Sequence, residues 1–135
     1  MRVIIGYGNS IRGEDGFGVE VITKLQHNIS KNIKLIEAYQ LTPELCLELL
    51  EADEIIFVDA AFSEDNHYKL ACIIETENQT NISHHISPYV IVSLLNNVYN
   101  KFPKIEIFSM LTNSFDKIEN KSSYEQCIQS IVEFL

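Results

Sequence analysis

The chain has 135 residues, 46% of them hydrophobic and 21% charged, with 19 acidic against 10 basic residues and a formal charge of −9. That length suits a single domain spanning 1–135, able to bury roughly two-thirds of its unfolded surface and too apolar to be disordered. The acidic balance and the lack of a Lys/Arg cluster argue against a nucleic-acid partner, and no segment approaches the roughly twenty apolar residues of a membrane span.

Short β-branched runs alternate with amphipathic stretches, the pattern of an α/β fold with a mainly parallel sheet. "RVIIG" reads as the first strand. Its apolar run ends at glycine too soon for a signal peptide, so the expected location is the cytoplasm and the N-x-S/T sequons at Asn28, Asn78, Asn81 and Asn120 carry no meaning for secretion. From Phe17, apolar residues recur at Val21, Ile22, Leu25 and Ile29 with helical spacing. "IKLIEA" is a second strand. "LTPELCLELLEA" predicts a helix with Thr42 as N-cap, Pro43 in the first position and a stripe of Leu45, Cys46, Leu49 and Leu50.

"EIIFVDAAF" is a continuous apolar strand with Asp59 at its end, as expected for a strand covered on both faces. "YKLACIIE" follows after only about eight residues, too few for a parallel crossover, so it is expected to be antiparallel or at an edge. "SPYVIVSLLNNVYNKF" repeats the Ser-cap, Pro-first device at Ser87 and Pro88, with Val90, Ile91, Leu94, Leu95 and Val98 as its stripe. "KIEIFSM" is a last strand. "SSYEQCIQSIVEFL" begins with an apparent capping box, Ser122 to Glu125, and buries Tyr124, Ile128, Ile131 and Leu135. The expectation is a three-layer α/β/α sandwich of the phosphorylase/hydrolase-like type, with four helices and a twisted sheet of about five strands. Cys46, Cys72 and Cys127 are widely spaced among apolar neighbours, and read as buried reduced thiols.

In open α/β sheets, ligands bind beyond the carboxyl ends of the strands, where strand order switches. Three segments converge there: the loop after the first strand, the end of the third, and the loop before the "SPYV" helix. The loop "GYGNSIRGEDGFG" is not a dinucleotide fingerprint, because Ile11 breaks the glycine spacing, and no Gly-Lys-Ser/Thr makes it a phosphate loop. A carboxylate at the start of the helix also occupies the place an anion would take. Taken alone, Asp15 is explained as the N-cap of a helix beginning near Gly16. Asp59 is explained as a turn partner, His84 and His85 as a solvated loop, and Arg12 and Glu14 as facing solvent or a partner surface. Taken together, two carboxylates and an imidazole at one sheet edge form an O/O/N set suited to Ni²⁺ or Zn²⁺.

Three of these segments resemble the NiFe-hydrogenase maturation proteases. "GYGNSIRGEDGFGVEV" is similar to the family's G-x-G-N-x-x-x-x-D-D/E-G-x-G opening. "QLTPELCLELLEADEIIFVDA" looks like the subgroup with a Q-L-T-P-E-L segment before a strand ending in Asp-Ala, and "SHHISPYVIVSLL" resembles a Ser-His-x-Leu/Ile-Ser-Pro helix start. The resemblance implies an endopeptidase that removes the C-terminal extension of the hydrogenase large-subunit precursor, contacting nickel that the precursor already carries. By motif the metal contacts are Asp15, Asp59 and His84, with His85 as the alternative; Ile86 two positions on favours His84. Gly8, Asn9, Glu14, Gln40 and Thr42 fall in the implied substrate-contact loops.

The resemblance further implies that nickel comes with the substrate and that no cofactor is resident, although zinc or cadmium is able to occupy such a site in vitro. Glu14 replaces the first acid of the usual pair at a position not expected to bind metal. "MLTNSFDKIENKSS" lacks the glycines of many relatives. No Ser-His-Asp, Cys-His or H-E-x-x-H arrangement is apparent, so the catalytic group stays unassigned and water is expected to attack, activated by a metal or a carboxylate. Two other readings remain open: a hydrolase with its own zinc on the same three ligands, and a non-enzymatic factor that binds nickel or the precursor.

Overall fold

The computed structural model describes residues 1–27, 32–73 and 87–135. Five strands form one sheet: β1 (Arg2–Tyr7), β2 (Ile33–Ala38), β3 (Glu54–Phe62), β4 (Lys69–Ile73) and β5 (Lys104–Thr112), in the order β2-β1-β3-β5-β4. All neighbouring pairs are parallel except β4 with β5. The expectation of an antiparallel or edge strand is met on both counts: β4 runs antiparallel to β5 and lies at the edge. The chain steps from β1 outward to β2 and then back across to β3, so the switch in strand order falls between β1 and β3.

Alternation along each strand feeds two cores. On one face Ile4, Ile56, Val58, Phe108 and Met110 pack against helices α1 (Phe17–Leu25) and α3 (Lys121–Phe134). On the other, Val3, Ile5, Ile55, Phe57 and Ile107 pack against helix α2 (Pro88–Asn97) and the segment following β2. Helix α1 lies unusually close to the sheet. A β-carbon at Gly18 would stand 2.2 Å from the Val58 carbonyl oxygen, so only glycine allows this approach.

Several expectations are corrected. The segment after β2 is a 3₁₀ helix, Pro43–Glu48, not an α-helix, leaving three α-helices among the described residues. Its backbone closes in three-residue steps, with the Leu45 N–H donating to the Thr42 carbonyl and the Leu49 N–H to the Cys46 carbonyl, the 3₁₀ pattern. Thr42 makes no side-chain cap; its carbonyl accepts from the Leu45 N–H instead. Helix α3 starts earlier than expected, capped by Asn120, whose Oδ1 accepts from the Ser123 N–H at 3.1 Å, so no Ser122–Glu125 capping box forms. Ser87 does precede α2 with Pro88 in the first turn, but its hydroxyl makes no cap. Val90 and Val98 are exposed, so the buried stripe of α2 narrows to Ile91 and Leu95. Cys46 and Cys127 are buried, whereas Cys72 is exposed on the edge strand β4. Ile29 lies outside the described residues.

Candidate functional site

At the carboxyl edge of the sheet, β1 ends in Tyr7 and the chain doubles back at Gly8. Its φ of +142° disfavours any side chain, and a β-carbon there would meet the Asp15 carbonyl oxygen at 2.0 Å. The Gly8 N–H donates to the Ala38 carbonyl at 3.1 Å, tying the loop to the end of β2. Asn9 then folds the tip: its Oδ1 accepts from the Ile11 N–H at 3.0 Å, and its Nδ2 lies 3.3 Å from the Tyr39 hydroxyl. The Asn9 N–H donates to Asp15 Oδ2 at 3.1 Å. Asp15 is therefore not a helix N-cap. It sits in a 3₁₀ turn, Gly13–Gly16, with its carboxylate held by the loop's own backbone.

Asp59 stands near the end of β3. The Tyr7 hydroxyl donates to Oδ2 and the Ser109 hydroxyl, from the facing register position on β5, donates to Oδ1. Burial pushes the Asp59 carboxyl up to about 6; the two hydroxyls pull against that, and the charge of Asp15 adds to it. Burial and the neighbouring Asp59 hold the Tyr7 phenol well above its ordinary value, so it stays a neutral donor. Among the described residues no Lys or Arg forms an ion pair with Asp15 or Asp59. The charge of Asp15 thus reaches Asp59, and carboxylate oxygens are donors of the kind a divalent ion takes.

Glu14 contradicts its expected solvent exposure. It is fully buried, and its carboxylate accepts from the Thr112 hydroxyl, the Tyr68 hydroxyl and, at 3.2 Å, the Glu119 N–H. His67 Nε2 lies 2.9 Å from Oε1. Burial alone would raise the Glu14 carboxyl, but these partners together hold it below its ordinary value and keep it ionised. Sequence reasoning missed this role because a glutamate beside an aspartate in a polar loop reads as surface. It also missed Tyr7 and Ser109, although Ser109 is detectable as the one hydroxyl in the apolar run "KIEIFSM".

Arg12 is exposed as expected, and its guanidinium pairs with Asp116 at 2.8 Å. It also lies 6.0 Å from the Phe115 ring, which packs 6.3 Å from Phe62. With Ile11 91% exposed and Tyr39 and Phe62 also open, an apolar rim stands beside the acidic centre. Gly8 and Asn9 belong to the loop itself. Gln40 follows the Ala38 tether and is exposed, and Thr42 is half-buried at the start of the 3₁₀ helix. His84 and His85 lie outside the described residues, and among the described residues no group of three or more His, Cys, Asp or Glu gathers to hold a metal.

This doubly wound, mainly parallel sheet is the fold of solved NiFe-hydrogenase maturation proteases. HycI of Thermococcus kodakarensis superposes with a TM-score of 0.74 at 23% identity, covering 99% of this chain and 91% of that one. The hydrogenase maturating endopeptidase HybD of E. coli gives 0.79 at 19% identity, covering 98% and 88%. In sequence, a Methanocaldococcus jannaschii protein inferred to be a hydrogenase maturation protease is 39% identical over 61 residues. That match spans 43% of this chain and 40% of the relative's length. No family model matches the chain. No helix among the described residues is long and apolar enough to cross a membrane.

Proposed function

We propose that the protein is a cytoplasmic endopeptidase that removes the C-terminal extension of a nickel-loaded NiFe-hydrogenase large-subunit precursor. The observation that carries this reading is that the charge of Asp15 reaches Asp59, with no Lys or Arg among the described residues paired to either, at the switch point of a maturation-protease fold. The nickel is the precursor's own cargo and serves as the feature recognised. Asp15 and Asp59 would contact it, with His84 or His85 supplying the imidazole, and the Tyr7 and Ser109 hydroxyls fix the orientation of Asp59. Hydrolysis adds water oxygen to the scissile carbonyl carbon, breaks the C–N bond and leaves a proton on the departing amine.

The test is intact-mass measurement of precursor incubated with the wild type or with Asp15→Asn. The wild type is expected to release the tail, and the variant, equally folded, to work at least about 100-fold more slowly. Unchanged processing by the variant would remove Asp15 from the site. Binding of the precursor without any change in mass would favour an assembly factor, and stoichiometric zinc in the purified protein a resident-zinc hydrolase.

The apolar rim is read as the surface that receives the precursor around its metal. Ile11→Ser should raise KM about 10-fold while kcat and Tm stay near wild type, because this exposed side chain contributes nothing to the core. Steady-state processing kinetics check this, and an unchanged KM would take Ile11 out of the docking surface.

A further inference from the structure

Glu14 is the one fully buried charged residue among those described, and the proposed chemistry does not use it. Its partners come from three separate parts of the chain: His67 and Tyr68 from the β3–β4 connection, Thr112 from the end of β5, and the Glu119 backbone ahead of α3. Tyr68 holds a φ of +58°, disfavoured for a residue with a β-carbon. It is kept there by its N–H to the Leu111 carbonyl at 2.8 Å, by stacking on His67 at 3.8 Å, and by the Asn120 N–H donating to its hydroxyl at 2.7 Å.

A buried ionised group is a weak source of stability compared with an apolar residue of similar size, but it is demanding about geometry. The residue whose geometry it fixes is its neighbour, Asp15. Within one 3₁₀ turn, Glu14 points inward to β5 while Asp15 points to the Asn9 backbone.

We propose that Glu14 is a positioning residue: its buried carboxylate clamps the Gly13–Gly16 turn onto β5 and the β3–β4 connection, so that the Asp15 carboxylate is presented beside Asp59. This rests on the reading of Asp15 and Asp59 as a cation site. Glu14 itself does not touch the metal.

Cadmium(II) titrated into the whole protein by calorimetry tests this without reference to proteolysis. Glu14→Gln places an N–H₂ against existing donors and is expected to weaken cadmium binding about tenfold or more. Thr112→Val, which removes one donor, should weaken it less. The core variant Ile22→Val, which lowers Tm without touching the turn, should bind as the wild type does. Wild-type affinity in a Glu14→Gln protein with native near-ultraviolet circular dichroism would overturn the proposal, as would an equal loss in Ile22→Val. Should Glu14→Gln fail to fold, Thr112→Val decides alone: weaker binding in a folded protein supports the clamp, and unchanged binding overturns it. Asp15→Asn separates this proposal from the reading beneath it. Weakened binding there with none in Glu14→Gln removes only the role of Glu14, whereas unchanged binding in Asp15→Asn removes the cation site itself.

Discussion

Asp59→Asn is expected to yield a protein that is more stable at neutral pH and at least about 100-fold less active. In the folded state burial raises the Asp59 carboxyl from 3.8 to about 6. Between these values the unfolded chain has lost its proton while the folded protein still holds one. Stability therefore falls as pH rises through this window, is complete below about 4 and carries the full penalty above about 6. A difference of about two pH units corresponds to roughly 3 kcal/mol at most, and partial solvent access reduces it to about 1–3 kcal/mol. Asparagine keeps an acceptor for one hydroxyl and offers its N–H₂ to the oxygen of the other, so the Tyr7 and Ser109 partners survive. Urea unfolding at pH 7.5 should show the gain, and at pH 3.5 the two proteins should unfold alike. A variant less stable at pH 7.5 would mean that the charge of Asp59 is not being held against desolvation.

Gly18→Ala is the second large effect, and its sign is opposite to helix propensity. In an exposed helix interior the change would stabilise by about 0.8–1.0 kcal/mol. Here the new β-carbon would stand 2.2 Å from the Val58 carbonyl oxygen and 2.8 Å from both the nitrogen and the oxygen of Tyr7. These are backbone atoms of β1 and β3, so no side chain can rotate away. Helix α1 must retreat, loosening Phe17, Val21 and Ile22, which are buried against both strands and α3. The overpacking cost exceeds the propensity gain, for a net loss of about 2–4 kcal/mol and a Tm lower by roughly 10 °C. Because Tyr7 is among the atoms displaced, processing should fall too. A thermal scan with an unchanged or higher Tm would show that α1 has room the geometry denies it.

What was legible in the sequence follows from which interactions are local. The strands of the sheet were readable because both faces of β1, β3 and β5 are covered, which makes their apolar runs nearly continuous. That β4 is not a parallel neighbour of β3 followed from the short connection. Asp15 and Asp59 could be mapped to the same sheet edge because one lies in a glycine loop and the other near the end of an apolar strand. Glu14 was not readable, since its four partners lie between 53 and 105 residues away and nothing in its neighbours distinguishes a clamp from a surface acid. Pro43–Glu48 was misjudged for a similar reason. Its apolar spacing fits both helical forms. Cys72 has apolar neighbours in sequence, but it belongs to a strand with only one partner, and its side chain reaches solvent.

The most direct measurement is the intact mass of the hydrogenase large-subunit precursor after incubation with this protein, with nickel-loaded and nickel-free precursor compared side by side. The prediction is loss of the C-terminal extension in the nickel-loaded sample alone. Equal processing of both samples would contradict recognition through the metal, and binding of the loaded precursor without loss of mass would contradict peptidase activity.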